Sequence, residues 1–83
     1  KLKSWRMPKL KPLKSRELIR ALKKLGFFEH RQKSTSHLIM KHRDGRRTVI
    51  AIHGGKDIPI GTLRGILHDI QIKPEELLDL LKK

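Results

Sequence analysis

The chain has 83 residues, in which 21 lysines and arginines outnumber 8 aspartates and glutamates for a formal net charge of +13, and it contains no cysteine. One small domain with a thin core accounts for that length, which excludes a second domain and a deep, enclosed small-molecule pocket; the absent thiols exclude a disulfide framework and cysteine-ligated zinc. The longest strictly apolar run, Val49-Ile50-Ala51-Ile52, is far short of the roughly 20 residues that span a bilayer, so a cytoplasmic protein without membrane attachment is expected, and its charge points to an anionic partner.

Residues 1–14 are rich in lysine, contain two prolines and no acid, and show no helical or strand period. They read as a flexible basic arm, outside a single domain expected over residues 15–83. Met7-Pro8 has the form of a translation start, so residues 1–6 read as foreign to the native protein. Order is expected from Ser15, a favourable N-cap, with Glu17 in the first turn and Leu18, Ile19, Leu22 and Leu25 at helical spacing before Gly26 stops the helix. Residues 27–33, 37–42 and 47–53 are short, rich in strand formers and bounded by turn residues, which predicts a three-stranded meander. After the loop Gly54-Gly55-Lys56-Asp57, the residues Leu63, Ile66, Leu67 and Ile70 predict a second helix. Thr62 is its candidate cap, and Gly65 inside it suggests close packing against the sheet. Pro74, Glu75 and Glu76 open a third helix that carries Leu77, Leu78, Leu80 and Leu81. The expected fold is α+β in the order α-β-β-β-α-α, a three-stranded antiparallel sheet packed against helices. Double-stranded RNA-binding domains share that order.

Asp44-Gly45 carries the signal of a two-residue type I′ hairpin. That turn pairs Met40 with Val49, Ile39 with Ile50 and His37 with Ile52, and it brings His37 beside His53. Apolar residues then fall on both faces, Leu38, Met40, Val49 and Ala51 on one and Ile39, Ile50 and Ile52 with His37 on the other, so pattern alone does not say which is covered.

The stretch Lys33-Ser34-Thr35-Ser36-His37 sets a titratable imidazole beside hydroxyls and a lysine. RNA carries a 2′-hydroxyl next to each scissile phosphate, so its cleavage needs only proton transfer and charge stabilisation, without a metal or other cofactor. His37 suits the proton transfer; Lys33 or Lys41 suits the charge on the phosphoryl oxygens; Ser36 and Thr35 add hydrogen bonds. His53 reads either as the second proton donor or as a residue that orients the Gly54-Gly55 loop. Arg31, Lys33, Lys41, Arg43, Arg46 and Arg47 surround the hairpin and read as a rim for the RNA backbone. His30, His42 and His68 read as surface residues. Zinc bound by His37, His42 and His53 is unsupported, because strand residues five apart point to opposite faces. Phe27 and Phe28 begin a strand next to a helix and give little support to a base-stacking platform.

Four stretches give the chain a family. Ser15-Arg16-Glu17-Leu18-Ile19-Arg20-Ala21-Leu22-Lys23-Lys24-Leu25-Gly26-Phe27, Arg31-Gln32 with Ser36-His37, Ile52-His53-Gly54-Gly55-Lys56, and Gly61-Thr62-Leu63-Arg64-Gly65-Ile66-Leu67 resemble the HicA family of toxin RNases, whose fold is like a double-stranded RNA-binding domain. That family's usual Gly-Ser-His carries its catalytic histidine, a role the resemblance gives to His37, with Thr35 standing at the glycine position. The resemblance implies a toxin-type endoribonuclease, or mRNA interferase, held in check by a HicB-like antitoxin with an acidic face. A non-catalytic double-stranded RNA-binding module is the alternative that the same basic rim would serve.

Overall fold

The computed structural model describes residues 10–34, 36–52 and 55–82. The chain runs β1 (Leu13–Lys14), α1 (Ser15–Lys24), β2 (Phe28–Ser34), β3 (His37–Lys41), β4 (Arg47–Ala51), β5 (Asp57–Ile58), α2 (Ile60–Asp69) and α3 (Pro74–Leu81). Strands β2, β3 and β4 form the antiparallel meander in that order, and β1 and β5 make a separate two-stranded pair. The fold is thus the expected α+β arrangement, like that of a double-stranded RNA-binding domain, with one short extra pair.

That pair changes the reading of the arm. Leu10 is buried in the core and Leu13 packs against it, Leu13 lies opposite Ile58, and Lys14 lies opposite Asp57. The Lys14 ammonium sits 3.1 Å from Asp57 Oδ1 and donates a 2.8 Å hydrogen bond to the Gly55 carbonyl. Apolar burial and strand pairing therefore recruit residues 10–14 to the domain, whereas the expected arm treated them as solvated; residues 1–9 lie outside the described residues.

Helix α1 buries Leu18, Ala21 and Leu22, which share one face by their spacing. Ser15 is its first helical residue rather than its cap, a place taken by Lys14, whose N–H donates to Glu17 Oε1 at 3.1 Å. At the other end Gly26 has φ +97°, its N–H donates to the Lys23 carbonyl, and that of Phe27 donates to the Leu22 carbonyl. This is a Schellman stop, and both Phe27 and Leu22 are in the core. A Cβ at Gly26 would lie 2.9 Å from His42 Nε2, so glycine is required twice over.

The hairpin between β3 and β4 departs from the expected register. His37 lies opposite Ala51, Leu38 opposite Ile50, Ile39 opposite Val49, Met40 opposite Thr48 and Lys41 opposite Arg47. The Gly45 N–H donates to the His42 carbonyl and the His42 N–H to the Arg46 carbonyl, with Gly45 at φ +102°. The loop is thus Arg43-Asp44-Gly45, a type I turn closed by a left-handed glycine, and not the two-residue type I′ turn. One residue of slip redistributes every side chain between the faces. Leu38, Met40, Thr48 and Ile50 now share the buried face, and Leu38, Met40 and Ile50 join Leu63, Ile66 and Leu67 of α2, which packs against β4, in one core.

Helix α2 begins at Ile60 with Pro59 as cap residue, so Thr62 lies inside the first turn. Gly65 does not pack on the sheet: nothing lies within 4 Å of where its Cβ would be. The helix ends as α1 does, with Gln71 N–H bonded to the His68 carbonyl and Ile72 N–H to that of Leu67. Here the left-handed position is held by Gln71, at φ 57°. Helix α3 starts as expected, with Pro74 in its first turn and Glu76 accepting the Lys73 N–H at 3.0 Å.

Candidate active site on the uncovered face of the sheet

The face of the meander turned away from the helices consists of three rows. Ser34, His37 and Ala51 stand in register at one end, Arg31, Ile39 and Val49 in the middle, and Phe28, Lys41 and Arg47 at the other. Cross-strand partners share a face, so this surface combines an imidazole, three cations and the exposed apolar side chains of Phe28 and Val49, while Ile39 is itself buried. Two irregularities in β2 make it so, one between Glu29 and Arg31 and one between Gln32 and Ser34. Each inserts an extra residue and resets the alternation. The first turns Arg31 toward the side of His37; the second sets Ser34 opposite His37.

His37 is exposed at the first position of β3. Ser36 Oγ lies 3.3 Å from its Nδ1. When Nδ1–H donates to that hydroxyl, Nε2 carries the lone pair that a general base needs. The Ser36 carbonyl accepts the Ile52 N–H at 2.7 Å, which ties the residue before His37 to the chain leaving β4. Lys41 shares the face but stands four residues along the strand, about 13 Å from His37 by strand rise. That distance suits a contact to a neighbouring phosphate and not to the one His37 would serve. Arg31, Arg43 and Arg47 are exposed. Thr35 and His53 lie outside the described residues, as does the side chain of Lys33, so the expected meeting of His37 with His53 falls there too.

Arg46 leaves the expected RNA rim. Its Nε bonds both carboxylate oxygens of Asp44, at 3.1 and 2.9 Å, its Nη1 donates to the Ile70 carbonyl at 2.8 Å, and its guanidinium lies 5.0 Å from the centre of the Phe27 ring. The side chain is spent on fastening the hairpin to the end of α2. His42 likewise is not a surface residue. Its Nε2 is 3.0 Å from the Leu25 carbonyl, the Asp44 N–H donates to its Nδ1 at 3.1 Å, and its ring meets that of Phe27 edge-on at 4.9 Å. The backbone N–H of Arg46 bonded to the Asp44 carboxylate, helped by the guanidinium and His42, holds that carboxyl below its ordinary range. His37 and His42 belong to opposite sides of β3, and among the described residues no three histidine, aspartate or glutamate side chains converge as metal ligands.

One contributor escaped the sequence reading. Phe27 is buried while Phe28 is 47% exposed, on the same face as Lys41. Adjacent strand residues point to opposite sides, and that alternation was the available signal.

No curated protein matches the chain. The family model for the HicA toxin of bacterial toxin–antitoxin systems matches residues 15–72, a span from the start of α1 to the turn before α3 that includes the whole meander. The chain therefore belongs to the HicA toxin family.

Proposed function

We propose that the protein is a metal-independent endoribonuclease that cleaves messenger RNA in the cytoplasm, with His37 as general acid/base. The observation that carries this reading is the position of His37: exposed, with Ser36 at Nδ1, on a sheet face shared with Arg31, Lys41 and Arg47. His37 takes the 2′-hydroxyl proton as that oxygen attacks phosphorus, the bond to the 5′-oxygen breaks, and the products are a 2′,3′-cyclic phosphate and a 5′-hydroxyl. His53 protonates the leaving oxygen and Lys33 offsets charge on the phosphoryl oxygens. Arg31, Lys41, Arg43 and Arg47 bind the flanking phosphates, while Arg46 stays in the fold. A HicB-like antitoxin silences the toxin by laying an acidic surface over this cationic face.

The test is incubation of the protein with single-stranded RNA in excess chelator, beside His37→Ala checked for retained fold. Wild type should give fragments ending in cyclic phosphate, and the variant should lose at least about a hundredfold in rate, the usual worth of a general base. RNA that stays whole while bound would identify a non-catalytic double-stranded RNA-binding module instead. Equal cutting by His37→Ala would remove the histidine from the mechanism.

A further inference from the structure

Ala51, at the end of β4, borders a cavity of about 310 Å³ lined also by Ile58, Pro59 and Ile66 and by Lys56 and Thr62. Ala51 is the residue opposite His37. The bonds from Ile52 N–H to the Ser36 carbonyl and from His42 N–H to the Arg46 carbonyl fix which pairs of this ladder exchange hydrogen bonds. Pairs alternate, so Ser36/Ile52, Leu38/Ile50 and Met40/Thr48 are bonded, and His37/Ala51 is an unbonded pair whose Cα atoms lie about 4.5 Å apart. The N–H and C=O of Ala51 consequently point away from β3, to the outer edge of β4, which pairs with no further strand among the described residues. No residue of β3 lines the cavity, which places it on that same edge.

A donor and an acceptor side by side on an apolar wall match the edge of a nucleobase, which carries both, while the apolar lining of Ala51, Ile58, Pro59 and Ile66 suits its faces. A phosphate, which only accepts, is a poor fit beside a carbonyl. Asp57 also borders the cavity, and its charge is met by Lys14 at 3.1 Å. The first turn of α2 contains no acid, and its unbonded N–H groups favour the phosphate attached to a base held here. We propose that this cavity is a nucleobase subsite, which seats one base of the RNA with its ribose toward His37 and so selects the nucleotide at the cleaved bond. Its placement at the cleaved bond rests on the nuclease reading above; its capacity to bind a base does not.

Titration of ¹⁵N-labelled protein with deoxydinucleotides carrying each base in turn tests this, because they lack the 2′-hydroxyl and are not cut. Saturable shifts are expected at the amides of Ala51, Ile58 and Thr62, with one base preferred. Ala51→Leu, which fills the cavity, and the exposed Thr62→Val should each weaken that binding, the former by about tenfold, the scale of one lost stacking contact. Shifts that spare Ala51 and Thr62, or unchanged affinity in a folded Ala51→Leu, overturn the subsite. A wild type that cuts RNA while its cavity ignores the dinucleotides loses only the subsite, and a cavity that binds them in a protein that leaves RNA whole loses only the nuclease.

Discussion

Thr48 is buried on the covered face of the sheet, and its Oγ1 has no hydrogen-bond partner among the described residues. A buried hydroxyl left unbonded costs stability, and valine has the same shape without the penalty. Thr48→Val should therefore stabilise the fold by about 1 kcal/mol, read as a higher midpoint in urea. Asp44 acts in the opposite sense. Its folded pKa is lowered by the Arg46 bonds, so its contribution is present above its unfolded pKa and is lost as pH falls through the folded one. Comparison of wild type with Asp44→Asn by denaturation should show the variant weaker at neutral pH and the gap closing in strong acid. The candidacy of His37 was legible at this scale from the sequence because Ser36-His37 resembles part of the family's motif. The commitment of Arg46 and His42 to the fold was not, since their partners Ile70 and Leu25 are distant in the chain.

At the scale of elements, the helices and strands follow their apolar spacing closely, and the misses cluster at ends and turns. Two glycines show why. Gly26 holds a left-handed stop against His42, and Gly65 lies inside α2 facing open space. Sequence assigned Gly26 correctly as a stop and read Gly65 as a packing residue, but open space cannot be seen from a helical pattern. Gly65→Ala should raise stability by about 0.5–1 kcal/mol. Gly26→Ala should lower it by at least about 1–2 kcal/mol, and thermal unfolding of the two variants should shift in opposite directions. The β3–β4 turn is the costlier miss. Asp44-Gly45 fits two loop lengths, and the choice of three residues moved Val49 and Ala51 to the face of His37 and placed Ile50 in the core.

For the whole molecule, the net charge of +13 favours an anionic partner, and its described cations include one engaged within the fold, Arg46, and three on the uncovered sheet face, Arg31, Lys41 and Arg47. Binding of RNA should weaken steeply with salt, and substitution of Arg31, Lys41 or Arg47 by alanine should each reduce the slope of log Kd against log salt by about one. Arg46→Ala should leave that slope unchanged and lower the melting temperature instead; a salt-independent affinity would remove the phosphate-binding role. The sequence by itself determined the α+β class, the order of the meander and the three helices, and the family, and it nominated His37, because spacing, caps and short motifs are local properties; the short β1–β5 pair, which joins distant segments, it did not show. Only the tertiary structure decided which face of the sheet is uncovered, which cations stand on it and that a cavity borders Ala51, the residue opposite His37. Those outcomes depend on strand register, on two bulges in β2 and on long-range contacts, and a slip of one residue, invisible to local pattern, reverses every side chain in a strand.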